Sequence, residues 1–256
     1  MTTPCPPNSI GALAGVGGAA GSMVQFHNTS MFVAQPNVTV KVGLLGFPDI
    51  FGLDSGRTKS DAEALAKLGY AIAVVDMADG DYLTPETMAD LPNWRNKFTF
   101  DEVLAARVQD GIEYLRSEFD VESIATYGYC WGAWVNARQS ALPDPIIKGA
   151  VSFHPSWATE NVFNGDGAVE KMVERISVPQ VLMAAGNDPA FVRENGTVIQ
   201  ILAGKPETSE YSKAIDFPDM AHGWVHRGNL SDPAVEAAVD KAWHEAIEFF
   251  RKVAPQ

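Results

Sequence analysis

Cysteine is scarce in this chain. Only Cys5 and Cys130 occur among 256 residues, so a disulfide framework is excluded and a reducing compartment, the cytoplasm, is the expected setting. Cations are also few. Nineteen Lys and Arg stand against 32 Asp and Glu, a formal net charge of −13. Nucleic acid is therefore not an expected partner, because phosphate binding needs clustered Lys and Arg. No apolar run approaches the roughly eighteen residues that a membrane span needs. The small, weakly apolar stretch at residues 10–22 has no basic residue before it and reads as tail or loop, not as a signal peptide. There is no internal repeat, phosphate loop or metal-ligand spacing, so no cofactor and no metal are expected. Gly15-Val16-Gly17-Gly18 lacks the preceding strand that a nucleotide-binding turn requires.

What is present alternates in period. Val38 to Leu45, Ala71 to Val75, Ile124 to Tyr127, Ile146 to Phe153, Val178 to Ala185 and Tyr211 to Phe217 read as buried strands. Helical stretches separate them. Ser60 to Leu68 suits a helix ended by Gly69, and Ala234 to Val253 suits a closing one. Leu104, Val108, Ile112, Leu115 and Phe119 make one face of a long helix with Thr99 as candidate cap. Such alternation predicts an α/β fold with a mainly parallel sheet and helices on both faces, its site at the carboxyl ends of the strands. Residues 1–22 are expected to be a tail or loop and 23–256 one domain.

The strongest local signal is Gly128-Tyr129-Cys130-Trp131-Gly132, which follows an apolar run. Two glycines flanking a central residue are the pattern of a nucleophile elbow, a sharp strand-to-helix turn that lifts the central side chain off the sheet edge. The alternative for Cys130 is a small buried hydrophobe beside a glycine-rich turn. Later elements supply the remaining members of a triad in the order nucleophile, acid, histidine. Gly186-Asn187-Asp188-Pro189 ends one strand, and Pro218-Asp219-Met220-Ala221-His222-Gly223-Trp224 follows another. Taken alone, Asp188 would be a turn residue before proline and His222 a loop histidine. Together with a cysteine they form a working set, since a thiol needs an imidazole to take its proton and the imidazole needs a carboxylate to fix its tautomer.

Gly-Tyr-Cys-Trp-Gly at 128–132, Asp-Ile-Phe-Gly at 49–52, Asn-Asp at 187–188 and His-Gly-Trp-Val-His-Arg at 222–227 resemble the dienelactone hydrolase (carboxymethylenebutenolidase) family of the α/β-hydrolase superfamily. His154-Pro155-Ser156 and Cys5-Pro6-Pro7 are similar to eukaryotic members. The resemblance implies an α/β-hydrolase fold with Cys130 as nucleophile, His222 as base, Asp188 as orienting acid, and the backbone N–H groups of Ile50 and Trp131 as oxyanion hole. It also puts Asp49 where bacterial members carry a glutamate that gates the resting thiol.

The resemblance breaks at the substrate clamp. Bacterial members hold a lactone carboxylate with two arginines, one after the second core strand and one four residues past the catalytic histidine. Here the first region reads Asp76-Met77-Ala78-Asp79-Gly80-Asp81, and the second position is His226, with Arg227 one further on. Arg227 and Arg95 are the candidates to compensate, or are solvated surface charges. Trp94, Arg95, Trp224, His226 and Arg227 are the pocket candidates, and residues 82–98 either border the cleft or form an aromatic-anchored surface loop. The expected function is cleavage of a small-molecule ester or lactone through a thioester, by a monomer or homodimer. The alternatives are a thioesterase on the same triad and a binding protein that has lost turnover.

Overall fold

The computed structural model describes residues 21–36 and 38–256. Eight strands form one sheet in the order β1-β2-β4-β3-β5-β6-β7-β8. They are β1 (Ser22–Phe26), β2 (Thr29–Ala34), β3 (Val42–Phe47), β4 (Ala71–Val75), β5 (Ser123–Tyr129), β6 (Ala150–Phe153), β7 (Gln180–Ala185) and β8 (Lys213–Phe217). From β4 to β8 every neighbouring pair is parallel, whereas β1 and β2 join as an antiparallel hairpin whose second strand runs antiparallel to β4. Strands β3 to β7 are apolar and almost wholly buried, as a parallel sheet covered on both faces requires.

Two cores result, one on each face. Helices Ala105–Phe119 and Trp131–Ser140 pack Val108, Ile112, Leu115 and Trp134 over one face. Helices Thr58–Lys67 and Pro233–Val253 pack Leu65, Ala242, Ala246 and Phe250 over the other. The closing helix is capped as its sequence suggests, Asp232 accepting from the Ala234 amide with Pro233 at the first position.

Three expectations need adjustment. The hairpin β1–β2 was not among the expected strands, and the boundary placed after residue 22 falls inside β1; residues 1–20, including Cys5, lie outside the described residues. Thr99 does precede the long helix, but its hydroxyl pairs with Glu102 (3.0 Å) instead of capping a backbone amide, and the first turn, Phe100–Leu104, is a wide π turn. Residues 82–98 contain a 3₁₀ turn (Pro85–Asp90) and a short helix (Leu91–Asn96). Among the described residues, no helix is long and apolar enough to cross a membrane.

Candidate active site

Five strands deliver the site from their carboxyl ends: Asp49 and Ile50 after β3, Cys130 after β5, His154 and Ser156 after β6, Asp188 after β7, and His222 after β8. The turn at Cys130 has φ 54° and ψ −113°, a strained conformation that costs on the order of 1–3 kcal/mol for a residue with a Cβ. Its two glycines are sterically required. A Cβ on Gly128 would come within 2.5 Å of the Gly132 carbonyl, and one on Gly132 within 2.3 Å of the Phe47 carbonyl oxygen. This close approach sets the elbow helix directly on the end of β3, beside the loop that carries Ile50. Trp131 opens that helix, so its N–H has no acceptor within the helix, as suits one member of an oxyanion hole.

The segment after β6 holds Cys130 at three points. Its N–H donates to the Phe153 carbonyl (3.1 Å), its carbonyl accepts from the Ser156 N–H (3.0 Å), and its Sγ lies 3.3 Å from Ser156 Oγ. Cys130 itself is 0% exposed.

His222 Nδ1 lies 2.6 Å from Asp188 Oδ1. Both loops are braced. Asp188 Oδ2 accepts from the Ala185 N–H (2.7 Å), Asn187 Oδ1 accepts from the His222 N–H (2.7 Å), and the Gly186 N–H donates to the Met220 carbonyl (2.8 Å). With Nδ1 committed to the carboxylate, Nε2 is the nitrogen left for proton exchange. Burial opposes charge on His222, but the Asp188 carboxylate and the Cys130 sulfur outweigh it and push its pKa up to about 10.

A second Asp–His pair lies alongside. Asp49 Oδ2 is 2.8 Å from His226 Nε2 and 3.0 Å from Arg227 Nε, while its Oδ1 accepts from the Phe51 N–H (2.9 Å) and its Oδ2 also from the Ser55 hydroxyl (3.0 Å). Burial alone would raise the Asp49 pKa, yet His226 and Arg227 hold it below the ordinary carboxylate value. His226 is shifted down, chiefly by burial with Arg227 adding to it, against the pull of Asp49. Arg227 is 0% exposed, its guanidinium 5.0 Å from the Phe51 ring centroid. It is therefore no solvated surface charge, and Asp49 already matches its charge.

His154 links the two pairs. Its ring lies 4.8 Å from that of His222 and 5.3 Å from that of His226, so three of the five histidines in the chain share one buried cluster. Among the described residues neither of its ring nitrogens has a hydrogen-bond partner, and burial, then His222, His226 and Arg227, hold it well below the usual histidine pKa. Sequence reasoning gave His154 and Ser156 no part in the site; the only trace was the His-Pro-Ser sequence after an apolar strand.

The remaining pocket candidates divide. Trp94 packs its ring 4.9 Å from Trp131, next to the elbow, and its Nε1–H donates to the Asp81 carbonyl. Residues 82–98 are thus anchored to the elbow by aromatic rings. Arg95 sits over Phe163 at 5.6 Å, on the elbow-helix side. Trp224 packs on Phe217 at 4.5 Å in the core of the opposite face. The 76–81 loop carries no cation of its own, but Lys97 reaches Asp81 (2.9 Å) and Arg107 donates to the Met77 carbonyl. Far from this site, ligand atoms of His27, Asp110 and Glu113 lie within 4.8 Å of one another, a grouping that no sequence spacing displays.

Comparison with known proteins bears on the family and the fold. A carboxymethylenebutenolidase homolog of Mus musculus is 26% identical over 254 residues (97% of each chain), and one of Xenopus tropicalis 23% over 249 residues (92% of each). Dienlactone hydrolase 2 of Gibberella moniliformis is 25% identical over 244 residues, 91% of this chain and 88% of that one. Among solved structures, a dienelactone hydrolase-like promiscuous phosphotriesterase from metagenomic libraries superimposes with a TM-score of 0.68 at 17% identity, covering 92% of this chain and 99% of its own. A dienelactone hydrolase-type protein from Klebsiella pneumoniae gives 0.64 at 15% identity, covering 91% and 99%. These two likenesses concern the fold. The profile of the Dienelactone hydrolase family matches residues 30–254, and on that match this chain belongs to the dienelactone hydrolase family, with an α/β-hydrolase fold.

Proposed function

We propose that the chain is a cysteine-dependent hydrolase of small esters or lactones. The observation that carries this reading is the conjunction of a strained Cys130 at a strand-to-helix turn with a buried His222–Asp188 pair at 2.6 Å whose histidine is raised by Asp188 and, after it, by that same sulfur. The Cys130 thiolate attacks the carbonyl carbon, and the N–H groups of Ile50 and Trp131 receive the oxyanion. The tetrahedral adduct collapses to a thioester. His222, protonated, gives its proton to the departing alkoxide, which in a lactone stays tethered to the acyl group. His222, now neutral, takes a proton from water as the water attacks the thioester, and a second collapse releases the carboxylic acid and the thiolate. Asp188 keeps the imidazole in one tautomer throughout. A thiol working in this way suits a reducing compartment such as the cytoplasm.

The charges around the site favour neutral substrates. Arg227 is matched by Asp49, and Asp76, Asp79 and Asp81 crowd the loop where bacterial relatives place a cation. The test is intact-protein mass spectrometry after mixing with an activated neutral ester such as p-nitrophenyl acetate. An acetyl mass increase that maps to Cys130, decays with turnover and is absent in Cys130→Ala is the expected result. An unmodified protein that nevertheless binds esters would instead identify a binding protein that has kept the fold.

A further inference from the structure

The loop that carries His222 is pinned at both ends, by different partners. At its start the His222 N–H donates to Asn187 Oδ1 and the Met220 carbonyl accepts from the Gly186 N–H, which ties the histidine to the loop of Asp188. Its far end is the short helix Trp224–Arg227, whose few amide donors reach back only to the carbonyls of Ala221, Gly223 and Trp224. The later carbonyls are left over. Residues 222–228 are buried throughout, so these oxygens need donors from another part of the chain.

Arg57 supplies three. Its guanidinium donates to the Val225 carbonyl (2.5 Å) and to the Gly228 carbonyl (2.6 Å), and its main-chain N–H donates to the His226 carbonyl (2.7 Å). The arginine is itself held by a helix. It stands at the N-cap of helix Thr58–Lys67, its own carbonyl accepting from the Asp61 N–H (2.7 Å). It also closes the loop that opens with Asp49 and Ile50, so one residue joins the segment of the base to the segment of the proposed oxyanion hole. Asp49 links the same two loops, but through the side chains of His226 and Arg227. That link depends on the charge those side chains carry. The bonds of Arg57 end on carbonyl oxygens, which do not titrate, and a planar fork of donors on two of them fixes direction as well as distance.

We propose that Arg57 is a positioning residue, which holds the main chain of the His222 loop at a set place relative to Ile50 whatever the state of the Asp49–His226 pair. The inference rests on the hydrolase reading. In that reaction the attacked carbon lies between the base and the oxyanion donors, so a base loop that drifts from the Ile50 loop loses the alignment that both acylation and deacylation need.

The test compares the wild type with Arg57→Met, which keeps the apolar stem and removes the fork. Hydrogen exchange read by mass spectrometry is expected to run several-fold faster in residues 222–228, with β5 to β7 as protected as before. Hydrolysis of p-nitrophenyl acetate, counted per site acylated in the initial burst, is expected to lose on the order of tenfold to a hundredfold in kcat with little change in KM, because both steps use the same base and the same donors. Arg57→Lys, which reaches one carbonyl but does not grip two, should lie between them, and it decides the matter if the methionine variant does not fold. A folded variant that loses Tm yet keeps its kcat per acylated site overturns the proposal and leaves Arg57 a stabilising contact only. A loss confined to KM, or a fall in kcat without faster exchange at 222–228, overturns it as well. If the wild type never acylates at Cys130, the hydrolase reading has failed and the positioning role falls with it, while the exchange rates still report whether Arg57 tethers the loop.

Discussion

Two aspartate–histidine pairs lie within one buried cluster and behave oppositely. Asp188–His222 at 2.6 Å drives its histidine up to about 10; Asp49–His226 at 2.8 Å leaves its histidine below the ordinary value. Distance and burial barely differ. The difference lies in the further partners: Arg227 supplies Asp49 with a cation at 3.0 Å and opposes a second positive charge on His226, whereas the Cys130 sulfur adds to Asp188 in drawing charge onto His222. Asp188 has no such counter-ion in its bonds to the Ala185 N–H and His222, and its charge is available to an imidazolium. A short Asp–His contact thus does not by itself make a proton-transfer pair; the third partner decides which state the histidine holds.

The largest expected effect comes from removing each histidine in turn. His222→Ala should cost about 10³-fold or more in kcat/KM for an activated ester, while His226→Ala should cost roughly tenfold or less, because in the proposed reaction only the former takes protons. Initial-rate kinetics on both variants measure this, and equal losses would erase the distinction. Next is the counter-ion. Arg227→Met leaves a buried carboxylate without its cation and should destabilise the fold by about 3–5 kcal/mol in denaturant titrations near neutral pH. The loss should shrink toward pH 5, where His226, freed from the cation, can protonate and take the place of Arg227 beside Asp49. A loss that is independent of pH would mean that packing, not charge, is what Arg227 contributes.

Substrate charge gives a smaller effect. With Arg227 occupied by Asp49, a neutral lactone should show higher kcat/KM than a matched carboxylate-bearing one, by roughly tenfold, about 1.4 kcal/mol. Should the anionic lactone be preferred, and that preference vanish in Arg227→Met, the arginine serves substrate before it serves Asp49. The mildest expectation concerns Asp61, on the helix following the Asp49 loop, whose carboxylate accepts from the Tyr129 hydroxyl at 2.7 Å. Burial raises its pKa to about 7, against the opposing effects of Tyr129 and Arg57. An acid whose folded pKa is raised holds its proton longer when folded, so stability is lost as pH rises from about 4 to 7. Asp61→Asn should therefore increase Tm at pH 8 and leave it nearly unchanged at pH 4.

The sequence could display some of this and not the rest, for identifiable reasons. Parallel core strands are continuous apolar runs, so β4, β5 and β7 stand out; β4 keeps its expected bounds, β5 extends beyond them at both ends, and register trims the starts of β6 and β7, β6 beginning at Ala150, opposite Thr126, although the apolar run reaches back to Ile146. Hairpin β1–β2 has an exposed outer strand with little apolar pattern and escapes the same reading. The elbow is legible because its two glycines flank the central cysteine within five residues, although the collision that fixes Gly132 is with the distant Phe47 carbonyl. Asp188 and His222 are legible because a triad has a chain order. The Asp49–His226 pair has none, since its members are 177 residues apart and meet only because β3 and β8 end on the same edge. Ser156 is hidden for the same reason, its partner lying 26 residues away across a strand pair.

The contact between Trp94 and Trp131 gives the molecule an optical signature. Two indoles 4.9 Å apart at 63° are close enough to couple excitonically, and one of them is the residue next to Cys130 while the other belongs to the 91–96 helix packed over it. Any event that lifts that helix to admit a substrate must separate the two rings. The near-ultraviolet circular dichroism of this pair, or its fluorescence lifetime, would therefore count openings of the sealed elbow in real time, without a label and without catalysis.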